Sequence, residues 1–143
     1  MYDDVLIPTD GSDAAMAAVE QGVSVAEQFE ATAHFLHVVD VGIEMSASGV
    51  GTIADDLTET LSQEAEQALD EAISQAAETG IAYEREILEG EPHNAIAHYS
   101  TDNDVDLIVM GASGQSGLKE RLLGSTADRV LRTVDVSVLL ARP

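Results

Sequence analysis

Apolar positions along this chain recur with two different periods, in alternation. Short apolar runs end at polar or glycine-containing turns, and between them lie longer stretches with apolar residues three and four apart. The first pattern predicts buried strands and the second amphipathic helices. Val5-Leu6-Ile7 is the first run, and it stops at Pro8-Thr9-Asp10-Gly11. Ser12 can cap the next helix. Met16, Val19, Val23, Ala26 and Phe29 form an inward stripe, predicting a helix over 12–30. Residues 32–39 read as a second strand, and 41–54, with its glycines and serines, as a mobile connection. Leu57, Leu61, Ala65, Ala68, Leu69, Ala72, Ile73 and Ala76 line one side of a long helix ended by Gly80. A third strand is predicted over 81–88, and Pro92 suits a helix's first turn, with Ala95, Ile96 and Tyr99 facing inward. Residues 106–110 predict a fourth strand, apolar on both faces. A second glycine-rich segment, 111–124, leads to a helix over 125–132, and 136–141 is the last strand.

Strand and helix alternating in this way predict one α/β domain over 1–143, a parallel sheet covered by helices on both faces. Such sheets bind ligands beyond the carboxyl ends of their strands, where the strand order reverses. The turns after strands one and four, 9–12 and 111–117, are the candidate positions.

Composition narrows the function classes. The chain has 143 residues, 45% hydrophobic, so intrinsic disorder is a poor reading. Cysteine is absent, which removes disulfides, thiolate metal sites and a cysteine nucleophile. No apolar run is long enough to span a bilayer, and Met1-Tyr2-Asp3-Asp4 does not open a signal peptide. A cytoplasmic protein is expected. Acids number 27 and bases 6, for a net charge of −21. That charge argues against nucleic-acid or membrane partners, which require cationic patches. It exceeds the usual magnitude of ~2–8 for a small domain. It predicts adaptation to molar salt, where the Debye length is about 3 Å.

The few cations are unevenly placed. Lys119, Arg121, Arg129 and Arg132 stand close together, and only Arg85 and Arg142 lie elsewhere. Two readings remain open: a nearby anionic ligand, or intramolecular salt bridges to surplus carboxylates.

The strongest local feature is Gly111-Ala-Ser-Gly114, nine residues, then Gly124-Ser125-Thr126. It combines a strand end, a glycine-rich loop and a helix N-terminus. Glycines let backbone amides approach a ligand, and the helix end adds donors and partial positive charge. Ser113, Ser125 and Thr126 add hydroxyls. A phosphate chain is the expected ligand. On spacing alone, a plain surface loop with Ser125 as helix cap is the other reading.

This spacing resembles the ATP-binding signature of universal stress proteins, G-2x-G-9x-G-(S/T). Val5-Leu-Ile-Pro-Thr-Asp-Gly-Ser12, His37-Val38-Val39-Asp40, the segment 106–111 and the last strand are similar to that family in order and spacing. The resemblance implies a Rossmann-like three-layer αβα fold, with five parallel strands in the order 3-2-1-4-5. It also implies bound ATP, with Mg²⁺ (or Mn²⁺) held through the phosphates. By position, Pro8, Thr9 and Asp10 would line the adenosine pocket, with Asp10 near the ribose or phosphates. Val38 would meet adenine through its backbone. Met110 and Gly111 would form the floor. Gly114, Gly124, Ser125 and Thr126 would hold the phosphates, with Gln115 and Ser116 less firmly assigned.

Other matches fail. Lys119 lacks the flanking residues of a Walker A motif. Gly49-Val-Gly51-Thr-Ile-Ala54 fits a dinucleotide pattern by letter but does not directly follow a strand. His34 and His37 point to opposite faces of a strand. His93 and His98 do not share a helix face, and the acids at 84–91 lack calcium-loop spacing.

The implied strand order leaves strands three and five at the edges. Glu84, Arg85 and Glu86 guard strand three, whereas strand five carries no charge between Val136 and Ala141. The family implies a two-fold homodimer joined there. The leading expectation is an ATP-binding, homodimeric regulator of a stress response acting on an unidentified partner. A slow ATPase or autophosphorylating phosphotransferase is the alternative, and a dimerisation module without nucleotide is a third reading.

Overall fold

The computed structural model describes residues 1–40, 55–113 and 123–143. The segment 41–54, Gly114, Gln115, Ser116, Lys119 and Arg121 lie outside the described residues, so the expectations placed on them are not addressed below.

In chain order the elements are β1 (Asp4–Pro8), α1 (Asp13–Phe29), β2 (Thr32–Val39), α2 (Asp55–Thr79), β3 (Tyr83–Glu89), α3 (Pro92–Asp102), β4 (Leu107–Gly111), α4 (Ser125–Thr133) and β5 (Ser137–Ala141). The strands form one sheet in the order β3-β2-β1-β4-β5, all neighbours parallel. This is the α/β Rossmann-like arrangement expected, with the predicted strand order. β1 pairs with β2 on one side and β4 on the other, so the order reverses between β1 and β4.

Alternation along the strands divides the core in two. Val5, Ile7, Ala33, Phe35, Leu107 and Val109 pack beneath α1 and α2, against Ala18, Val19, Val23, Leu69, Ala72 and Ala76. Leu6, Leu36, Ile108 and Met110 pack beneath α3 and α4, against Ile96, Tyr99, Ala127 and Val130. β1 supplies both halves: Val5, Leu6 and Ile7 are fully buried. Each such side chain stabilises the fold by roughly 1.5–3 kcal/mol through burial.

Two details depart from the periodic reading. Phe29, assigned to the inward stripe of α1, is 42% exposed. It is the last helical residue, and its ring meets Tyr2 edge-on, with centroids 5.2 Å apart, rather than entering the core. The third strand begins at Tyr83, not residue 81. Ile81 packs on the core while the chain is still leaving Gly80, and the first β2–β3 pair is Ala33 with Tyr83. A third detail concerns Gly22, which had no predicted role. A Cβ there would stand 2.5 Å from Ile7 Cδ1, so its lack of a side chain lets α1 lie close to the sheet.

Candidate functional site

The turn after β1 is built by its own polar atoms. Thr9 is buried, and its N–H donates to the Leu36 carbonyl at 2.8 Å, extending the pairing with β2 beyond Pro8. The Gly11 N–H donates to Thr9 Oγ1 at 3.2 Å, and the Ser12 N–H to Asp10 Oδ1 at 2.9 Å. Ser12 Oγ then accepts from the Ala15 N–H at 3.2 Å and caps α1. Aspartate and serine commonly form such turns, because their short side chains reach backbone donors two or three residues on.

The exit of β4 is tighter. A Cβ on Gly111 would lie 2.8 Å from the Ala14 carbonyl carbon and 2.9 Å from Ala14 Cβ, so only glycine lets β4 and the first turn of α1 meet. Ala112 donates its N–H to the Ala141 carbonyl, while its own carbonyl accepts from the Gly124 N–H at 2.7 Å. That last bond returns the chain to the end of β4 and sets the start of α4 beside it. Gly124 is the N-cap of α4 and supplies no side-chain acceptor to the first turn, which Ser125 opens.

These two exits, together with the start of α3, enclose a cavity of about 260 Å³. Small-molecule sites begin near ~300 Å³, so it suits a compact ligand or part of a longer one. Leu36, Val38, Pro92, Ile96 and Met110 provide apolar walls, and Thr9, Asp10, Ser113, Ser125 and Thr126 provide polar groups. Pro8, Gly111 and Gly124 complete the wall where β1 and β4 diverge. The structure thus brings Pro8, Thr9, Asp10, Val38, Met110, Gly111, Gly124, Ser125 and Thr126 together around one space. Of the anticipated residues, Gly114 and the less firmly assigned Gln115 and Ser116 lie outside the described residues.

Ala15, Leu36, Pro92, Ile96 and Ala127 line the same space without having been anticipated. Pro92 and Ile96 carried a readable signal. In a parallel sheet every helix following a strand starts at the carboxyl end, so α3 also begins there. Ser113 had been noted only as a hydroxyl donor, and it too lines the cavity.

The electrostatic expectation divides. Arg129 bonds Glu91 at 3.1 Å, and Arg132 bonds Asp128 at 3.2 Å. Neither lines the cavity. For these two cations the salt-bridge reading applies. Asp10 is the charged side chain lining the cavity among the described residues. Its Oδ1, accepting from Ser12, is held in the turn.

The two histidines of β2 turn to opposite faces. His34 is buried, with Nδ1 2.8 Å from the Tyr99 hydroxyl and Nε2 2.9 Å from Asp4 Oδ1, tying α3 to β1 and β2. Burial, with the carboxylates of Glu84, Glu86 and Asp4 nearby, pushes the Tyr99 hydroxyl up to about 12. His37 Nδ1 lies 2.9 Å from the Thr9 carbonyl oxygen. Among the described residues no cluster of three metal-ligating side chains occurs, and no helix is long and apolar enough to cross a membrane.

Comparison with known proteins places this geometry. The chain is 35% identical to the universal stress protein MJ0531 of Methanocaldococcus jannaschii, over 99% of this chain and 83% of that one. The solved structure of MJ0577, described as a structure-based assignment of biochemical function, superposes with a TM-score of 0.86 at 29% identity, covering 100% of this chain and 97% of that one. The universal stress protein UspA from Lactobacillus plantarum superposes with a TM-score of 0.81 at 34% identity, covering 99% and 98%. A universal stress protein solved in complex with cAMP superposes at 0.70 with 25% identity, covering 98% and 96%. The universal stress protein family model matches residues 1–142. Together with the cavity at the strand-order reversal, these matches show that this chain belongs to the universal stress protein family.

Proposed function

We propose that this chain binds ATP in the cavity between β1 and β4 and acts as a cytoplasmic, homodimeric, nucleotide-dependent regulator in a stress response. The observation that carries the reading is the pairing of apolar walls with the open start of α4 in a single cavity. Leu36, Val38, Ile96 and Met110 suit the faces of a purine. The amides and hydroxyls of Ser125 and Thr126, approached over the bare backbone of Gly124, suit phosphate oxygens, since a helix N-terminus presents aligned donors and partial positive charge. A related family member solved with a cyclic adenine nucleotide supports an adenine ligand. Asp10 is the one carboxylate lining the cavity among the described residues, so a Mg²⁺ or Mn²⁺ ion would be held mainly through the phosphates. Its contribution would be to neutralise phosphate charge.

The test is acid extraction of protein purified in molar KCl. ATP is the expected released nucleotide. An empty extract, together with no thermal shift on adding Mg-ATP, contradicts the reading. Release of ADP over time in the same preparation would favour a slow ATPase instead.

The homodimer forms through β5, the edge strand whose Val138, Leu139 and Leu140 are only half-buried. Light scattering at molar salt is expected to give twice the chain mass. One chain's mass contradicts the assignment. The net charge of −21 supports a protein suited to molar salt, because self-repulsion in dilute buffer opposes compactness. A far-UV melt is expected to lose cooperativity in millimolar KCl, and an unchanged melt would sink that reading.

A further inference from the structure

We infer that His37 is a positioning residue for the nucleotide cavity, acting on it through the Thr9–Asp10 peptide. Strand alternation puts His37 with Ala33 and Phe35, on the α1/α2 face of the sheet, whereas the cavity opens on the face of Leu36, Val38 and Ile96. His37 therefore reaches the cavity only from behind. Its Nδ1 is 2.9 Å from the Thr9 carbonyl oxygen. A carbonyl can only accept, so Nδ1 carries the proton, and in the neutral ring Nε2 does not. The regular pairing of β1 with β2 ends at Pro8 and Leu36. Immediately beyond it, β2 holds Thr9 at both polar ends: the N–H by the Leu36 carbonyl and the C=O by the His37 ring.

The consequence follows from peptide planarity. The Thr9 carbonyl and the Asp10 nitrogen belong to one rigid trans unit, so fixing the oxygen fixes the plane from which Asp10 projects. Asp10 lines the cavity, and Thr9 Oγ1 and Asp10 Oδ1 organise the two amides that follow. Without the imidazole donor, a buried carbonyl at the turn into α1 loses its partner and the peptide can rotate. The wall that meets the ligand would then no longer be set before binding. His37 does not line the cavity, and it acts through the wall.

This inference rests on the reading that the cavity takes an adenine nucleotide, and the experiment separates the two. Mg-ATP is titrated calorimetrically in molar KCl into the wild type, His37→Asn, His37→Leu and His37→Gln, and each is melted without nucleotide. Asparagine places an N–H where Nδ1 stands, leucine has nearly its shape with no donor, and glutamine carries its donor one bond farther out. The Leu variant is expected to lose about tenfold in affinity. Asn is expected to recover most of it and Gln little. The imidazole ¹⁵N spectrum of the wild type is expected to show the Nδ1–H tautomer. Wild type that binds no nucleotide overturns the functional reading. Wild type and Leu binding equally, or Asn binding no better than Leu or Gln, overturns the role of His37. Should the Leu variant not fold, the Asn–Gln comparison decides alone.

Discussion

Two helices, α1 and α4, begin at the carboxyl ends of adjacent parallel strands, on opposite faces of the sheet, and their first turns are finished in opposite ways. At α1, Ser12 accepts from the Ala15 amide, Asp10 accepts from Ser12, and Asp13 places a negative charge in the first turn. At α4, the cap is Gly124, which brings no acceptor, followed by two hydroxyl residues. A helix start leaves several amides needing acceptors, supplied by side chains, water or a ligand. The first helix satisfies donors internally and frames the cavity, and the second turns its first turn toward it. α3 reaches the same cavity by a third route: Pro92 at its first position removes one donor altogether and contributes an apolar wall. The polarity of the cavity wall is thus set in part by three capping choices.

The largest effect is expected from giving α4 an internal acceptor. Gly124 has φ −63 and ψ 150, which any residue adopts, so Gly124→Asp should fold and gain a few tenths of a kcal/mol from capping. It should also lose about a hundredfold or more in affinity for Mg-ATP, because a carboxylate would occupy the phosphate end. Calorimetric titration beside a thermal melt separates the two. Unchanged affinity would break the comparison. Gly111→Ala comes next. The added methyl would press on the Ala14 backbone, and the shift it forces should cost about 1–3 kcal/mol in a denaturant melt. Ser12→Ala is the converse of the first change. Stability should fall by about 1 kcal/mol, while nucleotide affinity stays near wild type. Equal losses of affinity at Ser12 and Gly124 would mean that the two helix starts do not differ in role.

The smallest effect, absent at neutral pH, concerns how α3 is anchored. Tyr99 is protonated in both folded and unfolded chains below pH 10. With its folded value raised to about 12, the unfolded chain releases the proton first as pH rises between them. Stability should therefore decline from pH 10 towards 12, and Tyr99→Phe should remove that part of the slope. Denaturant midpoints across this range provide the check.

The sheet and its helices were legible because their signals are local and repeated. Val5-Leu6-Ile7 and residues 107–110 are buried on both faces, as continuous apolar runs require in a covered parallel sheet. Residues gathered from four separate segments meet in one cavity because the strand ends converge where the order reverses. What escaped the sequence depends on juxtaposition. Ile96 reads as a core residue on its own helix, and only the placement of α3 against β2 and α4 makes it a cavity wall. The charge of Arg129 is visible in the sequence, but its partner Glu91 lies on a different element. Phe29 obeys the helical period yet, as the last helical residue, stays exposed with its ring against Tyr2. His37 reads as a strand residue of alternating face, and nothing local ties its ring to the Thr9 carbonyl.

The most direct measurement is a crystal structure of the protein grown from molar salt with excess Mg-ATP. The phosphates are expected over Gly124 and against the amides and hydroxyls of Ser125 and Thr126, with the base between Val38 and Met110 and Asp10 beside the ribose or phosphates. A nucleotide bound elsewhere, or this cavity closed by its own side chains at saturating ligand, would contradict the account.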